Sequence, residues 1–289
     1  MTRMLLLDTS SLMYRAFFAL PDSITDGRGR PVNAVRGYLD MTARLIGDHG
    51  PDRVVHTFDA DWRPAGRVAA YHGYKGDRAE DPEGLPEQFP LLRRVLAVLG
   101  QECVEAPGWE ADDALAVLCA PVSDPDRVDI VTGDRDLIQL VRDPVVRVLY
   151  TLRGVSELRI FDADTVREHY AVPPERYVDF AILRGDPSDG LPGVPGVGEK
   201  TAQRLVSAYP TLEALLDDAD AQTPKLGERL REAAPYIAAM REVVPLRTDV
   251  ELKRTSGARD DTAAERLAAE HNLDGPVGRL RAALDEVTA

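Results

Sequence analysis

Residues 108–113 read Gly-Trp-Glu-Ala-Asp-Asp and set the carboxylates of Glu110, Asp112 and Asp113 immediately before the apolar run 114–118. At helical spacing Glu110 and Asp113 share a face, with Asp112 rotated to one side. A single acid here would be an ordinary cap, because carboxylates suit a helix N-terminus electrostatically. The full set exceeds what capping needs, and like charges this close in a partly buried place call for a cation. Other aspartates repeat the theme. Strand-like runs at 4–7, 53–58 and 127–131 stop at Asp8, at Asp59 and at Thr132-Gly133-Asp134, with Asp136 just beyond. A turn or cap explains any one of these acids. Together, and beside Glu-x-Asp-Asp, they make a turn or cap a poor explanation and point to a site that holds a cation.

The elements that must position these acids follow from hydrophobic pattern. The runs 4–7, 53–58 and 127–131 read as buried strands, and 34–46, 89–99 and 114–120 read as helices. Such alternation is the pattern of an α/β fold with a parallel sheet covered on both faces. In such sheets sites form outside the carboxyl ends of the strands, so Asp8, Asp59 and Asp134 should converge there, faced by the helix start at Glu110. Residues 147–161 suit a hairpin or edge strands. From 61 to 78, Trp62, Arg63, Arg67, Tyr71, Tyr74, Lys75 and Arg78 interleave bases with aromatics, and 79–90 carries Pro82, Gly84 and Pro86 without an apolar period. The stretch 61–90 reads as a mobile, basic, partly helical arch, suited to single-stranded nucleic acid because phosphates meet cations and bases stack. Arg67 and Arg78 are its expected DNA contacts. His72 should face solvent.

Pro173-Pro174 opens a helix over 175–183, and the expected boundary places a catalytic domain at 1–168 and a helical domain at 169–289. Helical patterns recur at 202–208, 212–216, 263–271 and 276–287. Ahead of the first lies Gly193-Val194-Pro195-Gly196-Val197-Gly198-Glu199-Lys200-Thr201. Glycines before a helix expose backbone N–H groups to an anion, and Lys200 and Thr201 add side-chain donors. A P-loop is disfavoured, since Glu199 intrudes between Gly198 and Lys200 and no strand precedes. The better reading is a hairpin between helices that holds a DNA phosphodiester without reading sequence, through Gly193, Gly196, Gly198, Lys200 and Thr201.

Composition sets wider limits. At 289 residues, 44% hydrophobic and 29% charged, the chain is ordinary for a globular protein of one or two domains. The net charge of −14 argues against nucleic acid only if the acids are not neutralised by metal and the bases are not gathered locally. Cys103 and Cys119 fit neither a metal spacing nor a disulfide framework. The only apolar run near the start ends at Asp8, so neither a signal peptide nor a membrane span is expected, and the protein should be cytoplasmic.

These pieces resemble the metal-dependent 5′ nucleases, the flap endonucleases and 5′→3′ exonucleases that include the N-terminal domain of bacterial DNA polymerase I. The resemblance runs from 4 to about 249 and rests on Leu-Leu-Leu-Asp8 with Tyr14-Arg15, Phe58-Asp59, Gly73-Tyr74-Lys75, the 108–113 motif, Thr132-Gly133-Asp134-Arg135-Asp136-Leu137, and Gly185-Asp186-Pro187-Ser188-Asp189 with the hairpin after it. It departs at Gly190, where the family usually has Asn, and at the acidic Glu80, Asp81 and Glu83. No polymerase domain follows, so it resembles a free-standing member.

The resemblance implies a PIN-like sheet followed by a helix–three-turn–helix region. It implies Asp8, Asp59, Glu110, Asp112, Asp113, Asp134, Asp136, Asp186 and Asp189 as metal carboxylates, some acting through water, since Mg²⁺ retains several waters. Mg²⁺ or Mn²⁺ would bind as two or more ions, with K⁺ at the hairpin. Lys75 and Arg15 would offset charge on the scissile phosphate, and Tyr74 would stack on a base beside the cut. Partners would be 5′ flaps, nicked or gapped duplexes, 5′ single strands and RNA–DNA hybrids, met by a monomer in replication and repair. A PIN-like ribonuclease has no reason to carry the phosphate hairpin, and a non-catalytic DNA-binding scaffold has no use for so full a carboxylate set.

Overall fold

The computed structural model describes residues 1–288. Its centre is β1 (Arg3–Asp8), parallel to β2 (Arg53–Phe58) on one side and to β4 (Arg127–Thr132) on the other. Outward from these, β3 (Glu102–Glu105) and β5 (Val146–Arg153) extend the parallel core, and β6 (Glu157–Phe161) and β7 (Lys253–Thr255) close the edges antiparallel. The order is β6-β5-β4-β1-β2-β3-β7. Register explains the site. Asp8 lies beside Thr57 and Leu7 beside Val131, so Asp8, Asp59 and Asp134 leave the sheet at one carboxyl edge.

Strand side chains alternate between faces, and the core divides accordingly. Leu5, Leu7, Val54, Val131 and Leu149 pack with α1 (Thr9–Ala19), α2 (Asn33–His49) and α4 (Gln88–Val98). Leu6, Val55, Val104, Ile130 and Val148 pack with α5 (Ala111–Cys119), and their cluster continues through α6 (Ala163–Tyr170) into the helical region. That region comprises α7 (Tyr177–Arg184), α8 (Glu199–Ala208), α9 (Leu212–Asp217), α10 (Pro224–Glu232) and α11 (Ala234–Val243). The free cysteines Cys103 and Cys119 lie buried on opposite faces.

Two expectations need correction. The last stretch does not stay with the helical region. β7 pairs with β3, α12 (Asp261–Glu270) packs on α4, and α13 (Asp274–Thr288) packs on α2, so Leu267, Val277 and Leu280 share a core with Leu5 and Val35. The end of the expected helical domain 169–289 therefore packs with the sheet and its helices, and residue 289 lies outside the described residues. Nor is 61–90 wholly a mobile arch. α3 (Ala65–Ala70) packs on α11, where Arg67 Nε donates to the Val243 carbonyl at 3.0 Å and Tyr71 meets Tyr236 edge to face at 5.9 Å. The far end is fixed as well. Leu85 is buried, and Gln88 Oε1 accepts from the Ala34 and Val35 N–H groups, capping α2 from another helix.

Candidate active site

The carboxyl edge opens into a cleft of about 830 Å³ whose lining includes Asp8, Asp59, Glu110, Asp112 and Asp134. Asp8 is placed by two elements at once. As the N-cap of α1 it accepts from Ser11 N at 3.1 Å, and the Thr132 hydroxyl, at the end of β4, donates to its other oxygen at 2.6 Å. Asp59 Oδ1 accepts from Ala111 N at 2.7 Å, which ties β2 to the start of α5. Asp134 Oδ1 accepts from Asp136 N at 2.8 Å, and the Thr132 hydroxyl accepts from Asp134 N at 2.8 Å. The Arg15 guanidinium lies directly over Gly133, where a Cβ would stand 2.3 Å from its Nη2 and would displace it. Arg15 is half-buried against this turn, and its Nε has no hydrogen-bond partner within the described chain.

Electrostatics divides the acids into two linked groups. Asp8 feels Asp59 and Asp134, and Asp112 feels Asp134, Asp8 and Glu110, while Asp136, Asp186 and Asp189 form a second set coupled to the first through Asp134 and Glu110. Burial, opposed by the Thr132 bond and reinforced by Asp59 and Asp134, pushes the Asp8 carboxyl up to about 7. Burial, with Asp134 and Glu110 outweighed in part by Lys75, pushes Asp189 up to about 6. Asp112 and Asp136 are raised well above the usual carboxylate range by burial and by Asp134, with Lys75 the opposing charge. Acids so raised are ones that a divalent cation would restore to the charged form. Among the described residues no three Asp, Glu, His or Cys side chains converge tightly enough to ligate one ion directly. Hard ions that keep several waters do not need such a cage. The donor set fits a hydrated divalent ion on these grounds.

Asp113 and Arg67 take roles other than those expected. Asp113 is fully buried and does not line the cleft. Arg67 Nη2 donates to its Oδ1 at 2.7 Å, Arg67 Nη1 to its Oδ2 at 2.8 Å, and Arg247 N to its Oδ1 at 2.9 Å. Arg67 is itself 2% exposed and also reaches Glu110 at 2.5 Å, so its guanidinium neutralises the interior face of the acidic helix start and is not free for DNA. Tyr74 is likewise buried, its hydroxyl donating to Glu110 at 2.6 Å, so it offers no face to a base. Lys75 bonds Glu110 and lies 3.9 Å from Asp189; burial would lower it, but Glu110 and Asp189 hold its ammonium above its usual value. Its backbone has φ 49, and its N–H donates to the Asp189 carbonyl at 2.9 Å.

The turn carrying Asp186 and Asp189 is therefore clasped to the end of the arch. Asp186 accepts from Ser188 N at 3.0 Å and faces Arg135 at 3.3 Å. Gly190 tightens the turn: at φ +70, a Cβ there would lie 2.4 Å from the Gly73 carbonyl oxygen. In the hairpin, Gly193 and Gly196 take φ of +70 and +73, and the Tyr236 hydroxyl accepts from Gly193 N at 3.0 Å. Gly198 caps α8 without a side chain, with Lys200 exposed and Thr201 half-buried in the first turn. Arg229 of α10 crosses directly over Gly196, a cation that sequence spacing did not reveal. Arg78 lines the cleft rim and is exposed, and His72 is exposed as expected. Ser11, Thr132 and Arg229 are the residues that sequence reasoning missed. The Asp-Thr-Ser-Ser run after β1, an N-cap pattern, was the one available signal.

The N-terminal resolvase-like domain of 5′–3′ exonucleases matches residues 3–171, and their C-terminal SAM fold matches 172–266. A 5′–3′ exonuclease of Streptomyces coelicolor is 46% identical over 297 residues, spanning 96% of this chain and 98% of that protein. DNA polymerase I of Mycobacterium bovis is 42% identical over 254 residues, spanning 87% of this chain and 28% of the polymerase. Among solved structures, the T5 D15 protein co-crystallized with metal ions superposes with a TM-score of 0.69 at 18% identity, covering 99% of both chains. Both parts of the chain thus match consecutive domains of one enzyme class, and the chain belongs to the 5′–3′ exonuclease family.

Proposed function

We propose that this protein hydrolyses phosphodiester bonds of DNA at 5′ ends and 5′ flaps, using Mg²⁺ or Mn²⁺, in replication and repair. The observation that carries the reading is the pair of linked acid clusters at the carboxyl edge of the sheet with Lys75 between them. Asp8, Asp59, Glu110, Asp112 and Asp134 would hold one ion, and Asp134, Asp136, Asp186 and Asp189 a second. When bound, paired divalent ions supply an activated water and stabilise the leaving oxygen of an in-line displacement. The chain contributes orientation and charge. Thr132 and Ser11 fix the Asp8 oxygens, Arg67 and Tyr74 fix Glu110, and Lys75 and Arg15 face the position of the phosphate. Family likeness supports duplex DNA with nicks, gaps or flaps as partner, RNA–DNA hybrids as a further substrate, K⁺ at the 193–201 hairpin, and a cytoplasmic monomer. No helix among the described residues is long and apolar enough to cross a membrane. The test is cleavage of a DNA flap, single-stranded DNA and RNA, each with Mg²⁺, Mn²⁺ or excess chelator. Metal-dependent cutting of the flap is expected, and equal cutting in chelator, or cutting of RNA alone, overturns the reading.

A further inference from the structure

With Tyr74 buried, the cleft needs another platform for the bases of the strand that enters it. Trp62 is 50% exposed and lines the cleft together with Asp59 and Arg78. The backbone on either side of it is tied down by hydrogen bonds. Ala60 N and Asp61 N both donate to the Trp109 carbonyl, at 3.2 and 3.0 Å, and Asp61 Oδ1 accepts from Arg63 N at 3.0 Å. Arg63 then clamps the far side of the loop, donating from Nε to the Tyr74 carbonyl at 2.7 Å and from Nη2 to the His72 carbonyl at 2.9 Å. A fixed backbone that presents half an indole to water is unfavourable for the free protein, because aromatic surface gains by leaving solvent. It is what a pre-positioned stacking surface requires, since ordering entropy is then lost before the ligand arrives. The other tryptophan has a different environment: Trp109 lies against Arg67 at 5.8 Å and Arg247 at 5.6 Å and is half-buried.

We infer that Trp62 is a positioning residue for the substrate, stacking on an unpaired base of the 5′ arm at the mouth of the cleft while Arg78 beside it meets the arm's backbone. This rests on the nuclease reading above and adds to it the residue that discriminates a single-stranded arm from blunt duplex. Stacking of one base on an aromatic side chain is worth about 1–3 kcal/mol, roughly 5- to 150-fold in affinity.

The chain has two tryptophans, which makes the contact directly observable. Intrinsic fluorescence should be quenched when wild-type protein is titrated in chelator with a duplex bearing a 5′ single-stranded arm. The quench should survive in Trp109→Phe and vanish in Trp62→Phe. In parallel, Trp62→Ala should weaken binding of the armed duplex about tenfold, Trp62→Phe should largely restore it, and affinity for blunt duplex should be unchanged in both. Replacing the first unpaired bases of the arm by abasic sites should weaken wild type to the level of Trp62→Ala and cost the variant nothing further. A quench that persists in Trp62→Phe, or an abasic penalty equal in wild type and Trp62→Ala, overturns the assignment while leaving the nuclease reading in place. Failure of wild type to bind or cut any flap overturns both.

Discussion

Replacing Arg67 tests whether the buried cation is part of the interior or part of the DNA surface. Its guanidinium serves Asp113 with two bonds, Glu110 with one and the Val243 carbonyl with another, and side-chain exposure across the two ion pairs is 3%, 4% and 0% for Arg67, Glu110 and Asp113. Arg67→Met retains most of the stem volume but leaves buried Glu110 with Lys75, and buried Asp113 with Arg247, as the nearby cation. Removing one partner of a buried, hydrogen-bonded pair costs about 3–5 kcal/mol, because the remaining charge stays desolvated. For a chain of this size that corresponds to a fall in Tm of roughly 6–20 °C. Calorimetry or circular dichroism on metal-free protein measures it. Arg67→Met/Asp113→Asn should recover part of the loss, with a coupling of about 1–3 kcal/mol in the double-mutant cycle. DNA affinity of the folded variant in chelator should stay within about threefold of wild type, a change of less than roughly 1 kcal/mol. A Tm within a degree of wild type combined with a marked loss of DNA affinity would refute the reasoning and return Arg67 to the DNA-contacting surface.

Metal and pH should act together on stability. Asp8 and Asp189 are raised to about 7 and about 6 from ordinary values of 3.8, so the folded state holds protons that the unfolded chain releases. The contribution is greatest below the unfolded value and is lost as pH rises from about 4 to about 7, by an amount on the order of a few kcal/mol for Asp8. Metal-free protein should therefore melt lower at pH 8 than at pH 5, and the rise in Tm on adding Mg²⁺ should be larger at pH 8; an equal rise at both values would show that metal does not bind these acids. Lys75→Ala should lower the saturating single-turnover rate roughly a hundredfold with modest loss of affinity, because its charge acts chiefly on the transition state. Lys200→Ala, remote from the cut, should weaken duplex binding and reduce the salt slope by roughly one unit with the rate nearly intact; the reverse pattern in these two variants would exchange the two phosphate sites.

What the sequence reveals depends on whether a residue's neighbours are near in the chain. Asp8, Asp59 and Asp134 were legible because each ends a strand-like run, and parallel register then brings them to one edge without further information. The run over Glu102–Glu105 was not legible as a strand, since acids flank its apolar pair. It is held by pairs with distant residues: Arg53 and Arg254 on Glu102, and Arg93 and Lys253 on Glu105. Short β7 depends on the same contacts, and α10 and α11 were not read although 224–243 is amphipathic and its start is marked by Thr223-Pro224. Gln88 is a similar case, a helix residue by pattern whose amide caps a helix 54 positions earlier.

The acidic motif shows the limit most clearly. Glu110, Asp112 and Asp113 look equivalent in sequence, and one turn of α5 separates their fates by direction alone. Asp112 points where the influences are other acids, so it gains from a divalent ion. Asp113 turns inward to a guanidinium that arrives from the arch, and Glu110 lies between, shared by Lys75, Arg67 and Tyr74. The arch's basic and aromatic composition therefore serves two ends. Arg67 and Tyr74 complement the protein's own carboxylates, Lys75 pairs with Glu110 while still lining the cleft, and Trp62 and Arg78 are exposed at the rim. This also accounts for a net charge of −14 in a DNA-handling chain. The bulk number counts acids that ions or buried cations neutralise, whereas a phosphate entering the cleft meets the local balance among Lys75, Arg15, Arg78 and whatever cations the acid clusters hold.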